Sequence, residues 1–191
     1  MGILNLTPDS FSDGGKFNSF NKATKRILSM KKAGADIIDI GGESTRPGSK
    51  IIHPNIELKK VKKILEKFKK KFPKTLLSID TRKPLVMNFS INNGADIIND
   101  VSCFKFDRKS FQIIKNKDIW KIIHHMQGTP QTMQIKPFYN NVLLDIYDFF
   151  EGEIEKFKKF KHHKKLILDP GIGFGKNLKH NLIILNKISL F

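Results

Sequence analysis

Ile37-Ile38-Asp39-Ile40-Gly41-Gly42-Glu43-Ser44-Thr45-Arg46-Pro47-Gly48 is the stretch on which the fold turns. Its first half is a short, β-branched apolar run, the pattern of a buried strand. Its second half is glycine, hydroxyl and arginine, which have no place in a core. In parallel α/β folds the loops leaving the carboxyl ends of the strands carry the chemistry, so a strand that empties into such a loop marks an active-site edge. Gly41 and Gly42 allow a sharp turn beside a ligand. Ser44 and Thr45 supply hydroxyls, and Arg46 supplies a planar fork matched to carboxylate or phosphate. An ordinary surface turn would account for the glycines and Pro47, but not for an arginine set among them. The loop reads as built for an anion.

The same unit recurs on both sides. Met1 to Leu6 reads as a first strand, followed by the loop Thr7 to Gly15, and Asn21 to Ala33 has helical period. After the strand Asp36 to Ile40 comes a basic helix from about Asn55 to Lys71, then a strand Thr75 to Ile79 ending at Asp80-Thr81. Pro84 opens the next helix and Asn93-Gly94 stops it. Ala95 to Ile98 ends in Asn99-Asp100, Asp107 to Lys115 is a weak helix, and Trp120 to Ile123 ends in His124-His125-Met126-Gln127-Gly128. A strong helix over Asn140 to Phe160 precedes the strand Leu166 to Leu168, the glycine loop Asp169 to Lys176 and a helix from Asn177 to Ile188. Six alternations with polar strand ends predict an α/β fold of (β/α)8 TIM-barrel type, present here as about six βα units in one domain over residues 1–191. Six parallel strands leave two open edges, which a closed barrel does not have.

Bulk properties exclude several function classes. The sequence has 191 residues, 39% of them apolar, with no run long enough to span a membrane. Its first residues lack the basic start and apolar stretch of a signal peptide, so a cytoplasmic location is expected. The single cysteine, Cys103, reads as a small buried thiol. The formal charge of +17 would suit nucleic acid or a membrane surface, but the lysines crowd opposite the apolar stripe of Leu58, Val61, Leu65 and Phe68. That placement is a solvated helix face, and neither a nucleic-acid nor a membrane partner is expected.

Met1 to Gly15, Gly41 to Gly48, Ser78-Ile79-Asp80-Thr81, Gly94 to Asp100, Met126 to Pro130 and Leu168 to Lys176 together closely resemble dihydropteroate synthase, in order and across the whole chain. That family joins 4-aminobenzoate to 6-hydroxymethyl-7,8-dihydropterin diphosphate, releasing pyrophosphate with Mg²⁺. The resemblance implies that Asp80, Asn99 and Asp169 hold the pterin ring, whose edge of N–H donors needs acceptors. Asp80 and Asp169 could instead be helix N-caps. It further implies that Asn5 contacts the metal, joined by Asp13 when its loop folds over. Thr45 would bind a diphosphate oxygen, and Arg46 would orient the diphosphate or the aminobenzoate. Phe11 would stack near the aminobenzoate ring, unless it is packing filler, and Met126 and Phe174 would line the substrate site. An aromatic amine is already a nucleophile, so no catalytic histidine is named. His124 and His125 are adjacent on a strand and point to opposite faces, so they cannot share a metal. His125 matches a family histidine, whereas His124 stands where a methionine is usual.

The family carries two further strands, one ending in Ser-Arg-Lys and one in Arg-x-His, and neither segment occurs in the 191 residues. By resemblance these supply further pterin and diphosphate contacts. The expectation is therefore a truncated or decaying synthase, or an incompletely read gene product, that folds poorly alone. Two other readings stay open: a pterin-binding methyltransferase domain on the same barrel, and a binding-only relic. A homodimer acting on small molecules is what the family implies.

Overall fold

A computed structural model describes residues 1–6, 16–45 and 48–191, for 16–19 the backbone only. Strands and helices alternate: β1 (Gly2–Asn5), α1 (Lys16–Lys32), β2 (Ile37–Gly41), α2 (Pro54–Lys71), β3 (Leu76–Asp80), α3 (Pro84–Asn92), β4 (Ile97–Asp100), α4 (Arg108–Ile114), β5 (Trp120–His124), α5 (Val142–Lys158), β6 (Leu166–Asp169) and α6 (Leu178–Asn186), followed by a 3₁₀ turn (Ile188–Leu190). The chain divides into two compact units, Met1–Ser44 with Ile51–Asn99, and Thr45–Lys50 with Asp100–Phe191.

In the first unit β1, β2, β3 and β4 pair in parallel in chain order. Leu4, Ile40, Ile79 and Ile98 are opposite one another and buried, as are Ile38 and Leu77 one step down the same face. That face looks toward the helices, because Gly2, in register with Ile38, lies against Met30 of α1. Parallel strands need this cover on their faces, which is why they read as near-continuous apolar runs. The helix α2 follows from its own sequence. His53 caps it by accepting from the Asn55 N–H at 3.3 Å, and Pro54 opens it. Lys69, Lys70 and Lys71 sit in the last turn, where the helix dipole favours cations. Val61, Ile64, Leu65 and Phe68 bury one side, while Lys59, Lys62, Lys67, Lys70 and Lys71 are exposed. The lysine-rich segment is thus the solvated face of an amphipathic helix.

In the second unit β5 and β6 pair in parallel from Lys121 opposite Leu166 to His124 opposite Asp169. Aromatic rings fill the layer between helices: Phe111 lies 5.1 Å from Phe157 and 5.8 Å from Phe160 between centroids. Asn141 caps α5 by accepting from the Leu143 and Leu144 N–H groups, and Asn177 with His180 forms a capping box on α6. Cys103 is buried, as expected, and burial pushes its thiol pKa upward, so it is an inert thiol.

The boundaries differ from the sequence reading in one consistent way. Strands two to six run one or two residues further toward their carboxyl ends than apolar composition predicts, so Gly41, Asp80, Asn99, Asp100, His124 and Asp169 belong to strands, not loops. The reason is that a parallel ladder bonds backbone groups without regard to side-chain polarity. Leu6 N–H still donates to Gly41 O at 2.8 Å, and His125 N–H to Asp169 O at 2.9 Å. The helix expected from Asn21 begins at Lys16, and in the sequence Phe17 and Phe20 carry the spacing of Ala23 and Ile27 back into that extra turn.

Candidate functional site

Asn5, Gly41, Asp80 and Asn99 are successive register partners across β1 to β4, a single row at the carboxyl ends of four strands. Side chains alternate along a strand, so this row shares its face with the row two residues below, which includes Asp39 and Ser78. A Cβ on Gly41 would meet Asn5 Oδ1 at 3.1 Å and Asp80 Oδ2 at 3.4 Å. The glycine therefore leaves an opening flanked by an amide oxygen and a carboxylate. Beneath it, Asp39 is buried, its Oδ1 accepting from Ser78 Oγ at 2.5 Å and its Oδ2 from Asn99 Nδ2 at 3.3 Å. That contact fixes which end of the Asn99 amide points where. Its oxygen, Oδ1, is left as a buried acceptor with no hydrogen-bond partner among the described residues. The row offers acceptors, which is what a heterocycle edged with N–H donors requires.

Glu43, the acid of the loop after β2, is held by a buried ion network in the same unit. Lys83 Nζ lies 2.7 Å from Glu43 Oε1 and 2.7 Å from Glu57 Oε2, and Arg82 Nε lies 2.8 Å from Glu43 Oε2. Thr81 Oγ1 donates to Glu57 Oε1 at 2.5 Å, and the Ile52 N–H donates to Glu43 Oε1 at 2.8 Å. Burial alone would raise the Glu43 pKa; hydrogen bonds from Lys83, Ile52 and Arg82, with the Arg82 charge, bring it below the usual carboxylate value. The network ties the anion-type loop to α2 and to the start of α3.

In the second unit His124 and Asp169 end β5 and β6. His124 Nδ1 lies 3.1 Å from Asp169 Oδ2, and Asp169 Oδ1 accepts from the Gly171 N–H at 2.8 Å. Burial pushes the Asp169 pKa up, but the His124 hydrogen bond and charge, the Gly171 N–H and Lys176 bring it below the ordinary value. Phe174 packs edge-on against the His124 ring, 4.7 Å between centroids. Gly171 has φ +68, and any Cβ there would overlap the His125 carbonyl oxygen, so the loop after β6 can lie against the strand-five loop only with glycine at this point. Lys176 is buried and its three N–H groups find three acceptors: Phe174 O at 2.9 Å, His125 Nδ1 at 3.0 Å and His125 O at 3.3 Å. Burial lowers the Lys176 pKa to about 8, with Asp169 opposing.

His125 points to the other side of β5, toward Phe149 and Lys176, so the two histidines do not converge. Burial and then the neighbouring Lys176 charge push the His125 pKa down to about 3. Its folded value lies below that of the unfolded chain, near 6.5, so the unfolded chain takes up the proton first. The associated stability is complete above pH 6.5 and is lost as pH falls toward 3. Between pH 7 and 5, where carboxylates barely titrate, the loss should be about 2 kcal/mol. His125→Asn, whose Oδ1 can still accept from Lys176 but cannot titrate, should flatten that slope in urea unfolding.

Of the residues singled out from sequence, Asn5, Asp80 and Asn99 stand together in the first unit. Asp169 and Phe174 both contact His124 in the second. Met126 and Thr45 are half-buried, Thr45 in the segment Thr45–Lys50, which Gly48 N–H ties to Pro130 O at 3.2 Å. Phe11, Asp13 and Arg46 lie outside the described residues. The N-cap alternative for Asp80 and Asp169 is not taken up: Lys83 and Asn177 are the cap residues of α3 and α6. His163 bonds to Phe160 O at 3.0 Å, and His162 lies 3.1 Å from Asp118, both at the turn after α5. Asp39 was missed, although an acid inside Ile37-Ile38-Asp39-Ile40 is itself a signal, since a buried strand position takes a charge only with partners.

The family described as pterin binding enzyme matches residues 1–191. The dihydropteroate synthase of Escherichia coli (strain K12) is 42% identical over 192 residues, covering all of this chain and 67% of its own length. Among solved structures, the Yersinia pestis dihydropteroate synthase, in complex with a sulfonamide drug, superposes with a TM-score of 0.89 at 41% identity, over all of this chain and 68% of that one. The Burkholderia cenocepacia dihydropteroate synthase, complexed with 7,8-dihydropteroate, gives 0.84 at 34% identity, over 99% and 64%. The chain thus spans about two thirds of these relatives, with a fold of (β/α)8-barrel type represented by six βα units.

Proposed function

Because the chain belongs to the pterin-binding enzymes, and within them to the dihydropteroate synthases, we propose that Asp80, Asn99 and Asp169 hold the pterin ring of its diphosphate substrate. The activity is that of a transferase in folate biosynthesis: 4-aminobenzoate condenses with 6-hydroxymethyl-7,8-dihydropterin diphosphate to give 7,8-dihydropteroate and pyrophosphate. The observation that supports the assignment of roles is the register row Asn5, Gly41, Asp80 and Asn99, with Asp39 orienting the Asn99 amide from below. Carboxylates accept from the ring amine and N–H groups, and Asn99 adds an amide, which can accept and donate at once.

The amine of 4-aminobenzoate attacks the pterin methylene as the diphosphate leaves, and what the site must do is align the two and stabilise the departing charge. Thr45 binds a diphosphate oxygen, while Arg46 orients the diphosphate or the aminobenzoate carboxylate. Phe11, Met126 and Phe174 contact the flat rings. Among the described residues no group of three acids, histidines or cysteines could hold a metal. Mg²⁺ does not ask for one: it takes one or two protein oxygens together with substrate phosphates and water. Asn5 Oδ1, standing beside the opening at Gly41, fits that demand, with Asp13 as its partner. When bound, the ion supplies positive charge to the diphosphate. The proposal also takes the enzyme as a cytoplasmic homodimer acting on small molecules. No helix among the described residues is long and apolar enough to cross a membrane.

Radiolabelled 4-aminobenzoate mixed with the chain, Mg²⁺ and the pterin diphosphate should appear in dihydropteroate with one pyrophosphate released per condensation. Binding of the pterin without any condensation would count against the synthase reading and for the binding-only or methyltransferase alternatives.

A further inference from the structure

His124 and Asp169 face each other in register, yet their exposure is unequal. The His124 side chain is 4% exposed and the Asp169 side chain 42%. The histidine therefore stands behind the carboxylate, reaching it with Nδ1 at 3.1 Å. Its other nitrogen, Nε2, is buried and has no hydrogen-bond partner among the described residues. A carboxylate only accepts, so Nδ1 must carry the proton. In the neutral ring Nε2 is then the bare nitrogen, whereas a proton there would be a buried N–H without an acceptor. With Gly171 N–H on Oδ1 and His124 on Oδ2, both carboxylate oxygens are held in place while the side chain stays 42% exposed.

The geometry points to His124 as a positioning residue for pterin recognition: its Nδ1–H orients the Asp169 carboxylate and keeps it in the ionised, accepting form that the N–H groups of the heterocycle require. This rests on the pterin-binding reading above. The groups facing Asp169 are His124 from β5 and Gly171 N–H and Lys176 from the loop after β6; His124 faces Asp169, and the adjacent His125 is turned away toward Phe149 and Lys176, reaching His124 by its charge alone. His124 acts through Asp169 and donates nothing to substrate itself, because its free nitrogen is enclosed by protein. A methionine at this position would fill similar space without a donor. Asparagine would keep one, since its Nδ2 hangs from Cγ as the imidazole Nδ1 does, whereas glutamine carries its amide further out.

The test is made first on the ligand-free chain. The ¹⁵N spectrum of the wild type should show His124 as the Nδ1-protonated tautomer at neutral pH; an Nε2-protonated ring overturns the proposal without any variant. The ¹³C carboxyl signal of Asp169 should then titrate about one pH unit higher in His124→Met and His124→Gln than in the wild type, and unchanged in His124→Asn. Equal midpoints in all four proteins, or an Asn variant that follows Met, also overturn it. In parallel, 6-hydroxymethylpterin should bind about tenfold more weakly to His124→Met than to wild type or His124→Asn, the gap widening as pH falls. A wild-type chain that binds no pterin at all would sink the functional reading, while the tautomer and the Asp169 titration would still judge His124.

Discussion

Replacing Asp80 with asparagine is expected to weaken pterin binding by about a hundredfold or more while leaving the fold in place. The row that Asp80 occupies presents acceptors, and the bound heterocycle presents donors. An asparagine keeps the shape and one oxygen, but it turns one acceptor into an N–H₂ group aimed at other N–H groups. Each hydrogen bond to a charged partner contributes about 1.5–3 kcal/mol, so losing one and opposing another amounts to roughly 3 kcal/mol or more, about two factors of ten in affinity. Asp80 is only partly buried at the end of β3, and its backbone pairing with Gly41 and Asn99 does not depend on the side chain. Isothermal titration with 6-hydroxymethylpterin and a thermal melt measure the two halves separately. Unchanged affinity would remove Asp80 from the site. Loss of the melt instead would make it a folding residue.

Lys83→Met is expected to cost about 3–5 kcal/mol of unfolding free energy. Lys83 is 1% exposed and its ammonium lies 2.7 Å from carboxylates of both Glu43 and Glu57. Removing the cation leaves two buried acids facing each other, answered among the described residues by Arg82, Thr81 and the Ile52 N–H. A methionine fills much the same volume, so the loss reads charge, not cavity. Because Lys83 holds Glu43 just past the end of β2, the same change should free Glu43 and lower affinity for the diphosphate more than for the pterin alone. Urea unfolding gives the first effect, and binding with and without diphosphate gives the second. Replacing Lys83 together with Glu57 by apolar residues should cost less than Lys83→Met alone, since Glu43 keeps Arg82 as its partner and the second buried acid is gone. If the double variant is as unstable as the single one, the network is not what holds this part of the chain.

Much of this protein was legible in its residues taken in order. The alternation of apolar runs with helical periods gave six βα units, because strand and helix periods differ and each leaves its mark over a few residues. Motifs such as Gly41 to Gly48 and Ser78 to Thr81 carried the family, because a backbone turn beside a ligand and an acid at a strand end are local demands. The lysine-rich segment before Pro73 declared itself a helix face by the spacing of Val61, Leu65 and Phe68.

What lay beyond the linear reading was every relation that depends on register or on distant partners. That Asn5, Gly41, Asp80 and Asn99 form one row is a property of strand pairing, and a slip of one residue would have turned each side chain to the opposite face. Asp39 is an acid in an apolar strand whose partners, Ser78 opposite it and Asn99 two strands away, come from distant parts of the chain. Glu43 and Lys83 are forty residues apart, Lys176 and His125 fifty-one, and neither pairing has a local signature. Sequence by itself determined which residues could do the chemistry, since chemical type and strand-end position are written locally. Only the tertiary structure decided which of them meet and which are silenced by burial, because hydrogen-bond partners and dielectric are set by neighbours that the chain brings together in space.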